Sequence, residues 1–132
     1  MVLVDTSAWI EVFRRPQRLV IETVVDFDEI VTCLPVVQEV LQGFTTEEAF
    51  RVGRDAMLAL PIVESPLDDQ VFLEAVDLYR RARRAGHTIR SGVDCLIAAC
   101  AIRHELTVLH NDRDYPFLAK VSALDQRQIS RR

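Results

Sequence analysis

Five acids stand in or beside apolar segments. Asp5 directly follows Val2-Leu3-Val4, and Asp112 and Asp114 follow Thr107-Val108-Leu109 within a few residues. Glu39 lies in the first turns of a helical segment fed by Ile30 to Leu34, and Asp94 comes three residues after Ser91. Taken singly, each has an ordinary explanation. A turn acid, a solvated helix face or a capping-box partner needs no function, and a first-turn acid gains a few tenths to about one kcal/mol from the helix dipole. Taken together they would do chemistry. Two carboxylates ~4 Å apart repel by about 4 kcal/mol at an effective dielectric near 20. A cluster of four must raise its pKa values or recruit a cation. With no Cys or His at ligand spacing, oxygen donors select a hard ion, Mg²⁺ or Mn²⁺. Such an ion suits a phosphodiester: it activates water and steadies the pentavalent transition state and the leaving oxygen.

Whether the acids meet depends on the elements that carry them. Val2 to Val4 reads as a buried strand, and Thr6 or Ser7 can cap the helix that follows, with Trp9, Ile10 and Phe13 on its inner face and Pro16 closing it. Ile21 to Phe27 reads as a second helix and Ile30 to Leu34 as a second strand. Pro35 then suits a first helical position, Val36, Val37, Val40 and Leu41 recur at helical spacing, and Gly43 is a stop. Thr46-Glu47-Glu48 opens another helix, with Phe50, Ala56, Met57 and Leu60 as core candidates, before a short strand at Pro61 to Glu64. Ser65 with Asp68 resembles a capping box, with Pro66 at the first position of a long helix. Its apolar stripe is Leu67, Val71, Phe72, Ala75, Val76, Tyr79 and Ala82, and Gly86 ends it. Ser91 caps an almost wholly apolar helix from Val93 to His104, expected to be central. Thr107 to Leu109 is the last clear strand, and Phe117 to Ile129 has room for a short helix and a strand. This alternation predicts an α/β protein, a three-layer α/β/α sandwich around a central, mainly parallel sheet. Ligands of such sheets gather at the carboxyl ends of the strands, where the acids fall.

Composition narrows the classes. The chain has 132 residues, a mass of 15.1 kDa and 49% hydrophobic residues, which predicts one domain over residues 1–132 with a core of its own. Charged residues at 27%, with 4 Gly and 5 Pro, exclude disorder and collagen-like architecture. No apolar run approaches the ~20 residues of a membrane span. Met1-Val2-Leu3-Val4-Asp5 has no basic leader region. Three cysteines, Cys33, Cys95 and Cys100, read as small buried hydrophobes of a reduced, cytoplasmic protein. The net charge of −4 argues against nucleic acid only until the five acids are set aside, which leaves 15 acids against 16 bases. Arg80, Arg81, Arg83, Arg84 and Arg90 lie close together in sequence. They read either as a cationic helix end or as a phosphate-tracking edge, with Arg83, Arg84 and Arg90 as the candidate RNA contacts.

In four segments the chain resembles the PIN-domain ribonucleases, and among them the VapC toxins of bacterial and archaeal toxin–antitoxin pairs. They are Val2-Leu3-Val4-Asp5-Thr6-Ser7-Ala8-Trp9, Pro35-Val36-Val37-Gln38-Glu39-Val40, Asp94-Cys95-Leu96-Ile97-Ala98-Ala99 and His110-Asn111-Asp112-Arg113-Asp114-Tyr115. Single motifs are loose, but all four in order span almost the whole chain. The resemblance implies a Mg²⁺- or Mn²⁺-dependent endoribonuclease, the toxin of a type II pair, with Asp5, Glu39, Asp94 and Asp112 as catalytic acids and Asp5, Asp94 and Asp112 on the metal. It implies a ligand- or water-orienting hydroxyl at Ser7 and an auxiliary acid at Asp114. It further implies a homodimer and a cognate VapB-type antitoxin covering the groove, for which Trp9, Ile10 and Phe13 are suited if they are not core. The chain departs from the family at His110, where a Thr is frequent; a general acid and an ordinary strand-end His are both open there.

Rival readings are weaker. A phosphoaspartyl phosphatase of the haloacid-dehalogenase kind wants an acid where Ser7 stands. A receiver domain wants a positioned Lys, and Lys120 comes too late. A housekeeping PIN nuclease of RNA processing and a non-catalytic PIN-like module that binds RNA or a partner remain alternatives; the intact acid set speaks against the latter.

Overall fold

In the computed structural model, residues 1–13 and 18–129 are described. Strand β1 (Val2–Val4) leads into α1 (Thr6–Phe13), and β2 (Ile30–Cys33) into α2 (Leu34–Gln42) and α3 (Glu47–Leu58). Strand β3 (Ile62–Val63) precedes α4 (Asp69–Arg84) and α5 (Gly92–Arg103). Strand β4 (Thr107–His110) precedes α6 (Asp114–Lys120) and β5 (Asp125–Gln128). The five strands form one sheet in the order β3-β2-β1-β4-β5, and every pairing is parallel. With that strand order, the usual right-handed crossover assigns α1, α2 and α3 to one face and α4, α5 and α6 to the other. Within those groups α1 packs on α2 and α2 on α3, and α4 packs on α5 and α6, while α2 also touches α5 across the groups. This is the expected three-layer sandwich with a parallel sheet.

Burial follows sequence. Strands β2 and β4 are apolar and almost wholly buried, as central parallel strands must be. β5 reads Asp-Gln-Arg-Gln, largely exposed, and a polar edge strand discourages pairing with another chain. Helix α5 is buried from Ile97 to Ala101, as its composition requires. Cys33, Cys95 and Cys100 are free, buried thiols.

Several boundaries differ from those expected. Residues 21–27 form no continuous helix. Two 3₁₀ turns, Ile21–Thr23 and Phe27–Glu29, stand there, with Ile21 alone buried among those six residues. A stretch this short cannot offset the cost of nucleating an α-helix without burying a whole face. The long helix starts at Asp69, not at Pro66: Asp68 is its cap, accepting from Gln70 N–H at 2.9 Å, and the Ser65–Pro66 bond is cis. Its buried stripe is Val71, Ala75, Leu78 and Ala82, which leaves Phe72 and Val76 outside. Gly43 ends α2 with an ordinary right-handed φ of −81°, whereas Gly86 at φ +91° takes the left-handed turn after α4. Ile10 points outward while Trp9 is buried. Pro16 lies outside the described residues.

Candidate active site

The sheet order decides where the site lies. From β1 the chain runs outward through β2 and β3, then crosses back to β4 on the other side of β1. The connections of β1 and β4 therefore diverge, and this switch point leaves a crevice beyond their carboxyl ends. Asp5 and Asp112 stand on its two sides. Asp5 N–H still bonds Leu109 O at 2.8 Å, and Asn111 N–H reaches Ser7 Oγ at 2.8 Å.

A cavity of about 300 Å³ opens there, lined by Asp5, Thr6, Ser7, Ile10, Glu39, Arg90, Ser91, Asp94 and Asp112. Four acids from four separate segments thus line one cavity. Asp94, Asp112 and Asp114 bring carboxylate oxygens within 4.8 Å of one another.

Each acid is held differently. Asp5 is buried and is itself the start of α1: its carbonyl accepts from Ala8 and Trp9, and its Oδ2 from Ser7 N–H at 3.0 Å. The expected Thr6 or Ser7 cap is displaced by the acid. Ser7 Oγ donates to Asp5 Oδ2 at 2.6 Å, and the Tyr115 hydroxyl donates to Oδ1 at 2.6 Å. Tyr115 is fully buried, and burial and the charges of Asp5 and Asp94 push its phenol well above its ordinary pKa, so it stays a donor. Glu39 projects from α2 and accepts from Thr6 Oγ1 at 2.8 Å. Burial raises its pKa, with Asp5 and Asp112 adding to the shift against the Thr6 bond.

Asp94 occupies the first turn of α5. The Ser91 side chain makes no capping bond, so no capping box ties up this carboxylate. Burial, then the charges of Asp5 and Asp112 and a hydrogen bond with Asp112, push its pKa up to about 8. Asp112 Oδ1 accepts from Asp114 N–H at 2.9 Å and from Arg90 Nη2 at 3.2 Å. Asp114 is buried with both oxygens engaged, Oδ1 with His87 Nε2 at 3.1 Å and Oδ2 with Arg90 N–H at 3.1 Å. Burial works against its charge, but the His87 and Arg90 bonds outweigh it and hold its pKa below the usual range.

His110 is fully buried. Its Nδ1 accepts from Asp112 N–H at 3.1 Å, so the ring proton sits on Nε2, which donates to Gln126 Oε1 at 2.7 Å. Both nitrogens are hydrogen-bonded, and the ring props Asp112 from beneath. Arg83 and Arg84 end α4 outside the cavity lining, Arg83 with its guanidinium 5.6 Å from the Tyr79 ring. Arg90 alone of the three candidate RNA contacts lines the cavity.

Tyr115 and His87 carry no role legible in the sequence, and Thr6 reads there only as a helix cap. Tyr115 stands in a quoted motif but bonds a residue 110 positions away, and no local pattern announces that.

The donor set tests whether a metal belongs here. All side-chain donors are oxygens, they crowd one cavity, and the proton Asp94 retains to about pH 8 marks a deficit of positive charge. A hard divalent ion fits these residues.

Fold and site define an α/β protein whose carboxylates converge at the switch point of a parallel sheet. The chain belongs to the PIN-domain family, whose profile matches residues 2–123. It is 38% identical to the VapC ribonuclease Mb1587 of Mycobacterium bovis and to ribonuclease VapC11 of Mycobacterium tuberculosis. Each match spans 94% of this chain and 96% of the relative. In fold it is similar to VapBC2 from Rickettsia felis, solved on a promoter DNA fragment, with TM-score 0.74 and 18% identity over 98% of this chain and 100% of that one. It is similar also to FitAB bound to a DNA fragment, with TM-score 0.74 and 22% identity over 97% of this chain and 94% of that one.

Proposed function

We propose that residues 1–132 form one catalytic unit, a Mg²⁺- or Mn²⁺-dependent endoribonuclease acting as the toxin of a type II toxin–antitoxin pair. It works in the cytoplasm as a homodimer and is silenced by a VapB-type antitoxin. The observation that carries the reading is the convergence of Asp5, Glu39, Asp94 and Asp112 on one cavity at the switch point. Kinship to VapC ribonucleases over nearly the full chain supports RNA as substrate, and among the described residues no helix is long and apolar enough to cross a membrane.

In this reading Asp5, Asp94 and Asp112 hold the metal. When bound, it supplies an activated water and charge stabilisation at phosphorus. Tyr115 and Ser7 fix the Asp5 carboxylate so that it need not reorganise during the reaction. The Ser7 hydrogen is spent on Asp5, so its role is to position that acid, with one lone pair left to face a water. Glu39, whose raised pKa favours proton uptake, takes the proton of the attacking water. Asp114 acts from behind by holding the Asp112 loop and Arg90. Arg90 at the cavity and Arg83 and Arg84 beyond it contact the RNA backbone.

The test is RNA cleavage by the purified protein with Mn²⁺, against Asp94→Asn and Asp5→Asn, with circular dichroism to confirm folding. Loss of at least about 100-fold in both variants is expected. Wild-type cleavage by folded Asp94→Asn protein sinks the reading. Expression alone should arrest growth, with relief on co-expression of the adjacent small open reading frame. An active protein without that arrest favours housekeeping RNA processing instead.

A further inference from the structure

Arg90 touches two acids of the site in different ways. Its backbone N–H and its Nε both approach Asp114 Oδ2, at 3.1 and 3.5 Å. Its Nη2 reaches past them to Asp112 Oδ1 at 3.2 Å. Asp112 is one of the acids whose oxygens crowd together, and Arg90 lines the same cavity. The side chain is 58% exposed, so the guanidinium has solvent to move into. The two contacts to Asp114 form a pivot, while the contact to Asp112 is the single bond at the far end of the side chain.

A guanidinium and a divalent ion cannot share one carboxylate comfortably, because two cations on the same few ångströms repel. One must yield, and the tethered, exposed group has somewhere to go. We infer that Arg90 is the site's resident cation. It neutralises Asp112 while the acids carry no metal, releases Asp112 when a divalent ion binds, and then swings on Asp114 to present its fork to a substrate phosphate. A planar guanidinium suits both tasks, since it pairs with carboxylate and phosphate alike. The RNA half of this inference rests on the nuclease reading above; the metal half can be measured without any cleavage.

The experiment is calorimetric titration of metal-free protein with Mn²⁺ alone, for wild type, Asp94→Asn, Arg90→Gln and Arg90→Lys. Arg90→Gln should bind Mn²⁺ about three- to tenfold more tightly, as expected when one competing charge is removed, and Arg90→Lys should stay near wild type. A second measurement follows a short single-stranded RNA binding to Glu39→Gln protein in Mn²⁺, with and without Arg90→Gln. RNA affinity should fall about three- to tenfold and the salt slope by about one. The two changes have opposite signs, which a merely structural role would not produce. Equal or weaker Mn²⁺ binding by Arg90→Gln overturns the inference, as does unchanged RNA affinity. If wild type shows no Mn²⁺ binding that Asp94→Asn removes, the nuclease reading falls with it. If it does and Arg90→Gln has no effect, the role of Arg90 alone falls.

Discussion

The Tyr115 hydroxyl donates to Asp5 Oδ1 at 2.6 Å, joining the helix after the fourth strand to the acid after the first. Asp5 lines the cavity but is almost wholly buried, so its carboxylate has little water to orient it. The phenol and Ser7 take that part, one on each oxygen. The site is therefore aimed from below, by a side chain that does not line the cavity.

Tyr115→Phe should keep the fold and lose that aim. The ring still packs against His110, 4.8 Å away between centroids, but Asp5 Oδ1 loses its donor. Groups that orient metal-binding carboxylates typically govern 10- to 100-fold in activity or metal affinity. A loss of about tenfold in Mn²⁺ affinity is expected by calorimetry, with about 1–3 kcal/mol lost from stability in urea melts. Unaltered Mn²⁺ binding in the variant would mean that Asp5 is oriented by Ser7 alone.

Asp94 makes metal-free stability depend on pH in a direction opposite to most acids. Its folded pKa lies near 8 against an ordinary 3.8, so between those values the folded state keeps a proton that the unfolded chain has lost. Stability must then fall as pH rises through that window. In EDTA, the Tm should drop from pH 5 to pH 8, and Asp94→Asn should flatten the drop. A wild-type Tm that rises over the same range would contradict the crowded-acid picture.

Metal should reverse that trend. Binding displaces the proton from Asp94, so Mn²⁺ affinity should strengthen as pH climbs from 6 to 8, with proton release seen by calorimetry in buffers of different ionisation heat. RNA cleavage should vanish in excess EDTA and return on adding Mn²⁺. Full activity in the chelator would leave the acids without a chemical role.

Much of this was legible in the sequence because the relevant signals are local. Val2-Leu3-Val4 can only be a buried strand, and an acid directly after it must sit at the carboxyl edge. The same logic places Asp112 after β4, while Ser91 before an apolar helical run places Asp94 in the first turn of α5. What stayed hidden depends on distant partners or on competing local choices. At residues 65–69, Ser65, Pro66 and Asp68 together read as one helix start at Pro66, whereas the helix begins at Asp69 with Asp68 as its cap. The stripe of α4 has apolar residues on more than one face, so periodicity alone cannot choose Leu78 over Phe72 or Val76. His87 and Asp114 meet across 27 residues, with His87 stacked on Phe117 at 3.6 Å, and neither local sequence hints at the other. Asp5 reads in the sequence either as a site acid or as a turn or cap acid; it is both.

The central strand, formed first along the chain, acquires its second neighbour only with residue 107, and the acid after it acquires its phenol only with residue 115. A growing polypeptide still short of that point on the ribosome, or a proteolytic fragment lacking the final segment, has no assembled cluster to cut with. In the nuclease reading, this order of synthesis keeps the translating machine beside an unarmed chain until residue 115 has been added.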